Sequence, residues 1–305
     1  MASKRIVVAG GSGFLGKSNQ VDDSSFMTAY TNELRIQGPE YVNMPAFKVG
    51  SRSGEPHWDA VTSSKERPGW ASEVEWARAD ILKPATYKPF LKDATAVVHT
   101  MGILLEADYK RVVQGKESLF SGLQRAFSSS KRGTQDPLNR ETGEELRPQE
   151  SDGQLTYEVM NRDTAIALAQ ESSFEHVPTF VYISAAGGAP ILPGRYISTK
   201  REAESIISSS LPDLRSIFIR PGFLYDSSRK FTLPIALGGM IGSEVDALLG
   251  GRLKSFTGSM AEKPLKADVV AQAVVEAIDD GATRGVVGTK KIESLANKAW
   301  RKSML

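Results

Sequence analysis

The 305-residue chain has no cysteine and only three histidines, which lie far apart at positions 57, 99 and 176. The missing thiols exclude disulfides, cysteine nucleophiles and thiolate metal sites, and the scattered imidazoles predict no metal centre. No apolar run approaches the roughly 18 residues of a membrane-spanning helix. The formal net charge is only +2, which argues against a nucleic-acid-binding protein. A strand that begins near residue 5 leaves no room for a cleavable leader, so none is predicted.

What the chain does have is a glycine pattern directly after its first β-branched run. Ile6–Ala9 is typical of a buried strand, and glycines follow it at positions 10, 13 and 16. Glycine permits a tight turn and lets the backbone approach an anion closely. A helix after this turn offers free N–H groups and partial positive charge. The pattern predicts a dinucleotide site contacted by Gly10, Ser12, Gly13, Phe14, Leu15 and Gly16.

β-Rich runs alternate with helical periodicity along the rest of the chain. The predicted strands after the first are Phe47–Ser51, 74–77, 94–101, 180–184 and 216–220. The spacing of apolar residues predicts helices over 161–170, 199–208 and Ala267–Asp279. This alternation is typical of an α/β protein with a doubly wound parallel sheet, the Rossmann architecture. We therefore predict one NAD(P)-binding domain over 1–305, with a small substrate-binding portion over 226–262.

Two segments interrupt this rhythm. Residues 17–46 are polar where the fold needs an amphipathic helix, and Asp22 and Asp23 would bring negative charge near a pyrophosphate. This atypical segment is therefore expected to be irregular and to weaken nucleotide binding. Residues 128–155 are also polar, and we predict a long exposed loop there after a basic helix around 109–127.

Tyr196 and Lys200 form a Tyr-x-x-x-Lys pair twelve residues after Ser184. Residues four apart share a helix face, and an ammonium beside a phenol favours the phenolate, so Tyr196 can exchange a proton near neutral pH. Ser184, at a strand end, would orient a substrate carbonyl or hydroxyl. The pair also occurs by chance on many amphipathic helices. With the glycine turn and the strand before it, we assign Ser184, Tyr196 and Lys200 as the candidate catalytic residues.

Longer motifs carry a resemblance to a known family. They read G-G-S-G-F-L-G at 10–16, S-R-S-G-E-P at 51–56, H-T-M-G-I-L-L-E at 99–106 and R-Y-I-S-T-K-R-E-A-E at 195–204. Together they resemble the extended and atypical short-chain dehydrogenases/reductases. Within them the chain is similar to the fungal mitochondrial family of coenzyme Q biosynthesis, a relative of the NADPH-binding accessory subunit of respiratory complex I. Residues 17–46 depart from that family, which has a short apolar helix there.

The resemblance implies an NADP(H)-dependent oxidoreductase acting on an intermediate of ubiquinone biosynthesis. It places the protein in the mitochondrion, at the matrix face of the inner membrane, beside a quinone-biosynthesis protein complex. A prenylated quinone-like substrate and peripheral membrane contact fit the same setting. Two alternatives stay open: a non-catalytic nucleotide-binding subunit that stabilises or regulates the complex, and an enzyme related to nucleotide-sugar epimerases and dehydratases.

Further cofactor contacts follow from the strand ends. Arg52 comes after the second strand, where an arginine suits a ribose 2′-phosphate, so NADP(H) is favoured over NAD(H). The other predicted contacts are Ser51 and Ser53 beside Arg52, Asp80 and Ile81 at the adenine, Met101 and Gly102 at the ribose and nicotinamide, Tyr196, Lys200, and Pro221 and Gly222 at the nicotinamide end. An N-cap role explains Asp80 equally well, and His99 is expected to be a buried structural residue.

Overall fold

The computed structural model describes residues 5–10, 47–51, 54–55, 58, 65–67, 69–103, 143–146, 156–187, 194–225 and 263–304, with the backbone alone over 47–51. The atypical 17–46 segment, the basic helix around 109–127 and the 226–262 portion lie outside the described residues, as does most of the 128–155 loop. The described part is an α/β structure whose sheet carries helices on both faces.

Seven strands form one parallel sheet in the order β3-β2-β1-β4-β5-β6-β9. They are β1 Ile6–Ala9, β2 Phe47–Ser51, β3 Glu75–Arg78, β4 Ala96–His99, β5 Thr179–Ile183, β6 Arg215–Arg220 and β9 Gly285–Gly288. The short strands β7 Leu224–Tyr225 and β8 Leu265–Lys266 pair separately. Because β1 lies between β2 and β4, the winding direction reverses there, and parallel sheets bind ligands at such a switch point.

Two apolar clusters cover the two faces of the sheet. The described helices are a 3₁₀ turn Gly69–Glu73, α1 Pro84–Leu91, a π-helical stretch Glu158–Asp163, α2 Thr164–Phe174, α3 Gly194–Ser210, α4 Ala267–Asp279 and α5 Thr289–Ser303. Helices α4 and α5 pack on the face that carries Ile6 and Val8. The π-helical stretch with α1, α2 and α3 packs on the opposite face, which carries Val7 and Ala9. This double covering explains why the central strands are buried runs of apolar residues.

The structure confirms the predicted doubly wound parallel sheet and all six predicted strands. It shifts two helices. The helix expected over 199–208 begins at Gly194 and therefore includes Tyr196, and the one expected from 161 is π-helical before α2 begins at Thr164. It also adds α1, β9 and α5. Helix α1 is short and contains Pro89, so its pattern is weak, whereas α5 has a buried apolar stripe at helical spacing that the sequence analysis overlooked.

Only residues 143–146 of the predicted exposed loop are described, and they dock on the domain. Leu146 is buried, and its N–H donates to the carbonyl of Leu82 at 2.7 Å. The N–H of Gly143 donates to the buried carboxylate of Glu171 at 2.6 Å. At Leu146 the segment is therefore packed, because its apolar side chain fills the cluster beneath α1. None of the helices described has the length and apolar character needed to cross a bilayer.

Candidate functional site

The ends of β1 and β4 meet at the switch point of the sheet. Gly10 follows β1 and is buried with φ at +124°, a conformation that favours glycine. The N–H and the hydroxyl of Thr100 both donate to the carbonyl of Ala9, at 2.9 and 3.0 Å. Gly10 therefore lies at the start of the predicted phosphate turn, in a backbone conformation that other residues rarely adopt. Residues 12–16 of that turn lie outside the described part of the chain.

Lys200 lies on α3 beside the end of β5. It is buried, and its Nζ donates to the carbonyl of Ile183 at 3.1 Å. The same ammonium stands 5.1 Å from the ring centroid of Tyr182 and 5.8 Å from that of Tyr196. The Tyr196 ring packs edge-on against Tyr157 at 6.0 Å. The structure therefore brings Tyr196 and Lys200 to one face of α3, as the spacing predicts. The carbonyl of Ile183 and the two rings partly replace the water that the buried ammonium has lost.

Gly102 connects this pair to the end of β4. A β-carbon at Gly102 would stand 3.5 Å from Nζ of Lys200 and 3.0 Å from Oδ1 of Asn161, so only glycine fits without displacing a neighbour. Met101 beside it is buried in the apolar cluster. The close approach places the partly exposed backbone of Gly102 directly beside the ammonium of Lys200.

Asn161 is a site residue that the sequence analysis missed. It is fully buried in the π-helical stretch, where its Oδ1 accepts from the N–H of Ile103 at 2.9 Å. Its backbone carbonyl accepts from the Tyr182 hydroxyl at 2.5 Å. One residue thus ties the segment after β4 to β5. Single π-helical turns are frequent at functional sites. No sequence signal distinguished Asn161, because its stretch also contains Glu158, Arg162 and Asp163.

Ser184 lies directly after β5 and is buried. Its Oγ accepts a hydrogen bond from Nη1 of Arg201 at 3.1 Å. Arg201 also pairs with Glu204 at 2.9 Å, and Glu204 forms a second ion pair with Arg220 at the end of β6. The sequence analysis named none of these three charged residues as site residues, although the i, i+3 spacing of Arg201 and Glu204 is typical of a helix-surface pair.

His99 is a buried structural residue at the end of β4, as expected. Its Nε2 lies 3.0 Å from Oγ1 of Thr164, whose own proton goes to the carbonyl of Met160, so Nε2 carries the ring proton. Burial, assisted by the nearby charge of Lys200, lowers the pKa of His99 to about 3. The imidazole is therefore neutral, and it stacks edge-on with Tyr182 at 5.3 Å. A second cation beside Lys200 is thereby avoided.

Two ion pairs join α3 to the π-helical stretch. Arg195 binds Glu158 in a fork, with Nε to Oε1 at 3.0 Å and Nη2 to Oε2 at 2.5 Å. Arg162 bridges to Glu202 at 2.9 Å. These contacts set the position of the helix that carries Tyr196 relative to the stretch that carries Asn161.

The remaining predicted contacts lie around the same sheet edge. Asp80 follows β3, and its Oδ1 accepts from the N–H of Leu82 at 3.1 Å, which caps the turn. Ile81 is buried. Pro221 follows β6 with its carbonyl accepting from the N–H of Ala186 at 2.7 Å, and Gly222 comes next.

Some predicted contacts cannot be placed. Ser51 ends β2, its side chain undescribed, and Arg52 and Ser53 lie outside the described residues. Within the ranges described, no three acidic or histidine side chains come together as metal ligands do.

A parallel sheet in this order, covered by helices on both faces, defines an α/β protein with a Rossmann-like fold, and α3 carries the Tyr-x-x-x-Lys pair beside its switch point. The MIOREX complex component 2 of Saccharomyces cerevisiae is 32% identical over 238 residues, which cover 74% of this chain and 74% of the yeast protein. The chain belongs to the same family as that yeast protein.

Two further comparisons bear on the fold and the family. An uncharacterized chloroplastic protein of Arabidopsis thaliana is 24% identical, with 97% of this chain and 78% of that protein covered. A solved structure, the UDP-N-acetylglucosamine 4-epimerase of Methanobrevibacter ruminantium with UDP-N-acetylmuramic acid, has a TM-score of 0.50 at 13% identity, covering 95% of this chain and 77% of the epimerase. This likeness is to the fold. No protein-family model matches the chain.

Proposed function

We propose that this protein is an NADP(H)-dependent oxidoreductase of the short-chain type. The observation that carries the proposal is the placement of Lys200 beside the Tyr196 ring and against Gly102, next to the switch point of the sheet. Gly10 in its positive-φ conformation at the end of β1 fits a nucleotide turn. A proton donor, a cation and a partly exposed glycine next to the switch point support a dinucleotide site at this edge of the sheet.

The roles of the side chains follow from their contacts. A bound nicotinamide cofactor supplies the hydride chemistry. Lys200 would hold the nicotinamide ribose and favour the ionised form of Tyr196, because it is fixed by the Ile183 carbonyl beside that ring. Tyr196 would exchange a proton with the substrate oxygen. Ser184 would position that oxygen, and Asn161 holds the segment that carries Gly102.

Cofactor choice rests on Arg52, which follows β2 in the sequence. An arginine there suits a 2′-phosphate, through a charge-assisted contact worth about 1.5–3 kcal/mol, or roughly 10- to 150-fold in affinity. We therefore propose that NADPH binds more tightly than NADH. Ser51 and Ser53 would add donors to the same phosphate.

The substrate and the setting come from the family. We propose a quinone-pathway intermediate as substrate and a place in mitochondrial ubiquinone biosynthesis, at the matrix face of the inner membrane. The name of the yeast relative describes a component of a complex, which supports a protein complex as the partner. The apolar, glycine-rich 226–262 portion is the proposed contact for a prenylated substrate.

A non-catalytic nucleotide-binding subunit is the second candidate. It is favoured by the complex named for the yeast relative. In that case Tyr196 and Lys200 would serve nucleotide binding alone, and the bound nucleotide would stabilise the assembly.

Titration of the purified protein with NADPH and with NADH tests the proposal. Tighter NADPH binding that Arg52→Ala reduces to equality supports the cofactor assignment, whereas equal affinities in the unmutated protein contradict it. Absence of binding to either nucleotide overturns both candidates. Binding of NADPH without its consumption in the presence of soluble quinones favours the subunit.

A further inference from the structure

The Arg201 guanidinium donates three hydrogen bonds to the segment that begins with Ser184. Its Nη1 donates to Ser184 Oγ at 3.1 Å, and its Nη2 donates to the carbonyls of Ala185 and Ala186 at 2.6 and 3.0 Å. A further Nη1 bond goes to Glu204 at 2.9 Å. Four of the five N–H groups of an arginine are thus engaged, so this side chain is fixed in orientation and not free to swing toward a ligand.

Glu204 binds the guanidinium of Arg201 through Nη1. It is buried, and it accepts from Nε of Arg220 at 3.1 and 3.0 Å with its two oxygens. Two guanidinium cations therefore share one carboxylate, which leaves one positive charge in excess within this described group of Arg201, Glu204 and Arg220. Because arginine stays protonated at all ordinary pH values, this charge is permanent.

The contact decides what Ser184 can do. A serine hydroxyl has one proton and two acceptor lone pairs, and Arg201 donates to the oxygen. Over the described part of the chain, no acceptor takes the proton of Ser184. A hydroxyl that accepts from a cation is polarised and becomes a stronger donor through its own proton.

We propose that Arg201 is a positioning residue that fixes Ser184 as a hydrogen-bond donor and keeps a positive charge beside it. This inference rests on the proposed oxidoreductase function and narrows its substrate class. The site then suits a substrate oxygen that accepts a hydrogen bond and gains negative charge, as a carbonyl or quinone oxygen does on reduction. An alcohol that donates to Ser184 is less well suited, because Arg201 already occupies one of the two acceptor lone pairs of the serine oxygen.

The absence of cysteine from the chain provides a direct test. The Ser184→Cys variant contains one thiol, at the position to which Arg201 donates, and its ionisation can be followed by the ultraviolet absorbance of the thiolate as pH is raised. Burial alone would raise the pKa of this thiol above its ordinary value of about 8.5, whereas a neighbouring cation lowers it. We expect a thiol pKa at least about one unit below the ordinary value. A pKa at or above it overturns the inference.

Double variants separate the guanidinium from the rest of the site. In Ser184→Cys with Arg201→Met the thiol pKa should rise by about one unit or more, and Arg201→Lys should give an intermediate value because it keeps the charge and loses the fork. Ser184→Cys with Arg162→Met is the matched control, since Arg162 pairs with Asp163 and Glu202. Equal pKa values with and without Arg201 contradict the inference. If the variant with Arg201→Met does not fold, the thiol pKa of the Ser184→Cys variant alone tests the inference.

A second measurement links the contact to function. With NADPH and the soluble quinone menadione as probe, Arg201→Lys should lower kcat about tenfold or more while the affinity for NADPH is unchanged. An unchanged kcat contradicts the positioning role. If the unmutated protein does not reduce menadione, the proposed reaction on this quinone fails, while the thiol titration in the cofactor-free protein still decides the role of Arg201.

Discussion

Gly102 lies against Lys200 so closely that a β-carbon on Gly102 would stand 3.5 Å from the lysine ammonium. The segment after β4 is held at this distance by Asn161, which bonds to the backbone of Ile103. The candidate site therefore depends on a glycine in β4's exit segment as well as on the lysine of α3.

Replacing Gly102 with alanine should destabilise the protein by about 1–2 kcal/mol, because the added carbon would stand 3.0 Å from Oδ1 of the fully buried Asn161 and overpacking of this kind costs about that amount. Urea unfolding measures it. Gly281→Ala is the matched control, since nothing lies within 4 Å of a β-carbon there, and it should change stability by less than about 0.5 kcal/mol. Equal effects of the two substitutions would show that the packing at Gly102 is loose.

Replacing Tyr196 with phenylalanine should lower kcat about 100-fold or more while leaving NADPH affinity and stability nearly unchanged, because it removes the proton donor and keeps the ring packed on Tyr157. Steady-state kinetics with a soluble quinone and nucleotide titration provide the two readouts. Lys200→Met should in addition weaken nucleotide binding. Turnover that survives in Tyr196→Phe would exclude the assigned role.

Acid should destabilise the protein through His99. Its pKa is about 3 in the folded state and about 6.5 when unfolded, so below pH 6.5 the unfolded chain binds a proton that the native protein does not. The stabilisation is complete above pH 6.5 and is lost as pH falls, by about 2 kcal/mol between pH 7 and pH 5.

His99→Gln removes this titration and keeps a donor for Thr164, so its stability should fall less over the same interval. Unfolding measured at pH 7 and pH 5 compares it with His176→Asn, a control at an exposed histidine with positive φ, a conformation that asparagine tolerates. The same acid loss in His99→Gln as in the unmutated protein would refute the assignment to His99.

The Arg195–Glu158 fork should contribute measurably to stability. A double-mutant cycle with Arg195→Met and Glu158→Gln should give a coupling energy of about 1–2 kcal/mol, because the pair is bidentate and partly buried. The exposed Lys263–Glu293 pair is the control and should couple by less than about 0.5 kcal/mol. Similar couplings for both pairs would mean that the fork does not fix α3.

The strands and the Tyr196–Lys200 pair of the candidate site could be predicted from the sequence. A short β-branched run bounded by turn residues, such as Ile6–Ala9 before Gly10, favours a buried strand. The four-residue spacing of Tyr196 and Lys200 places them on one face of any helix that includes both. Helix α1 was missed because it is short and contains a proline, which weakens the periodic pattern. Helix α5 was missed although its apolar residues at 292, 295, 296 and 299 have the spacing of an amphipathic helix.

The chain by itself thus determined the parallel α/β architecture, the glycine at the end of β1 and the Tyr-x-x-x-Lys pair, since each depends on neighbours close in sequence. Only the tertiary structure decided that Asn161 holds the backbone of Ile103, 58 positions away, and that Arg201 reaches Ser184 while sharing Glu204 with Arg220. Such contacts join separate strands and helices, and no local pattern encodes them. The partners of a buried polar group are set by whatever the fold brings within hydrogen-bond distance.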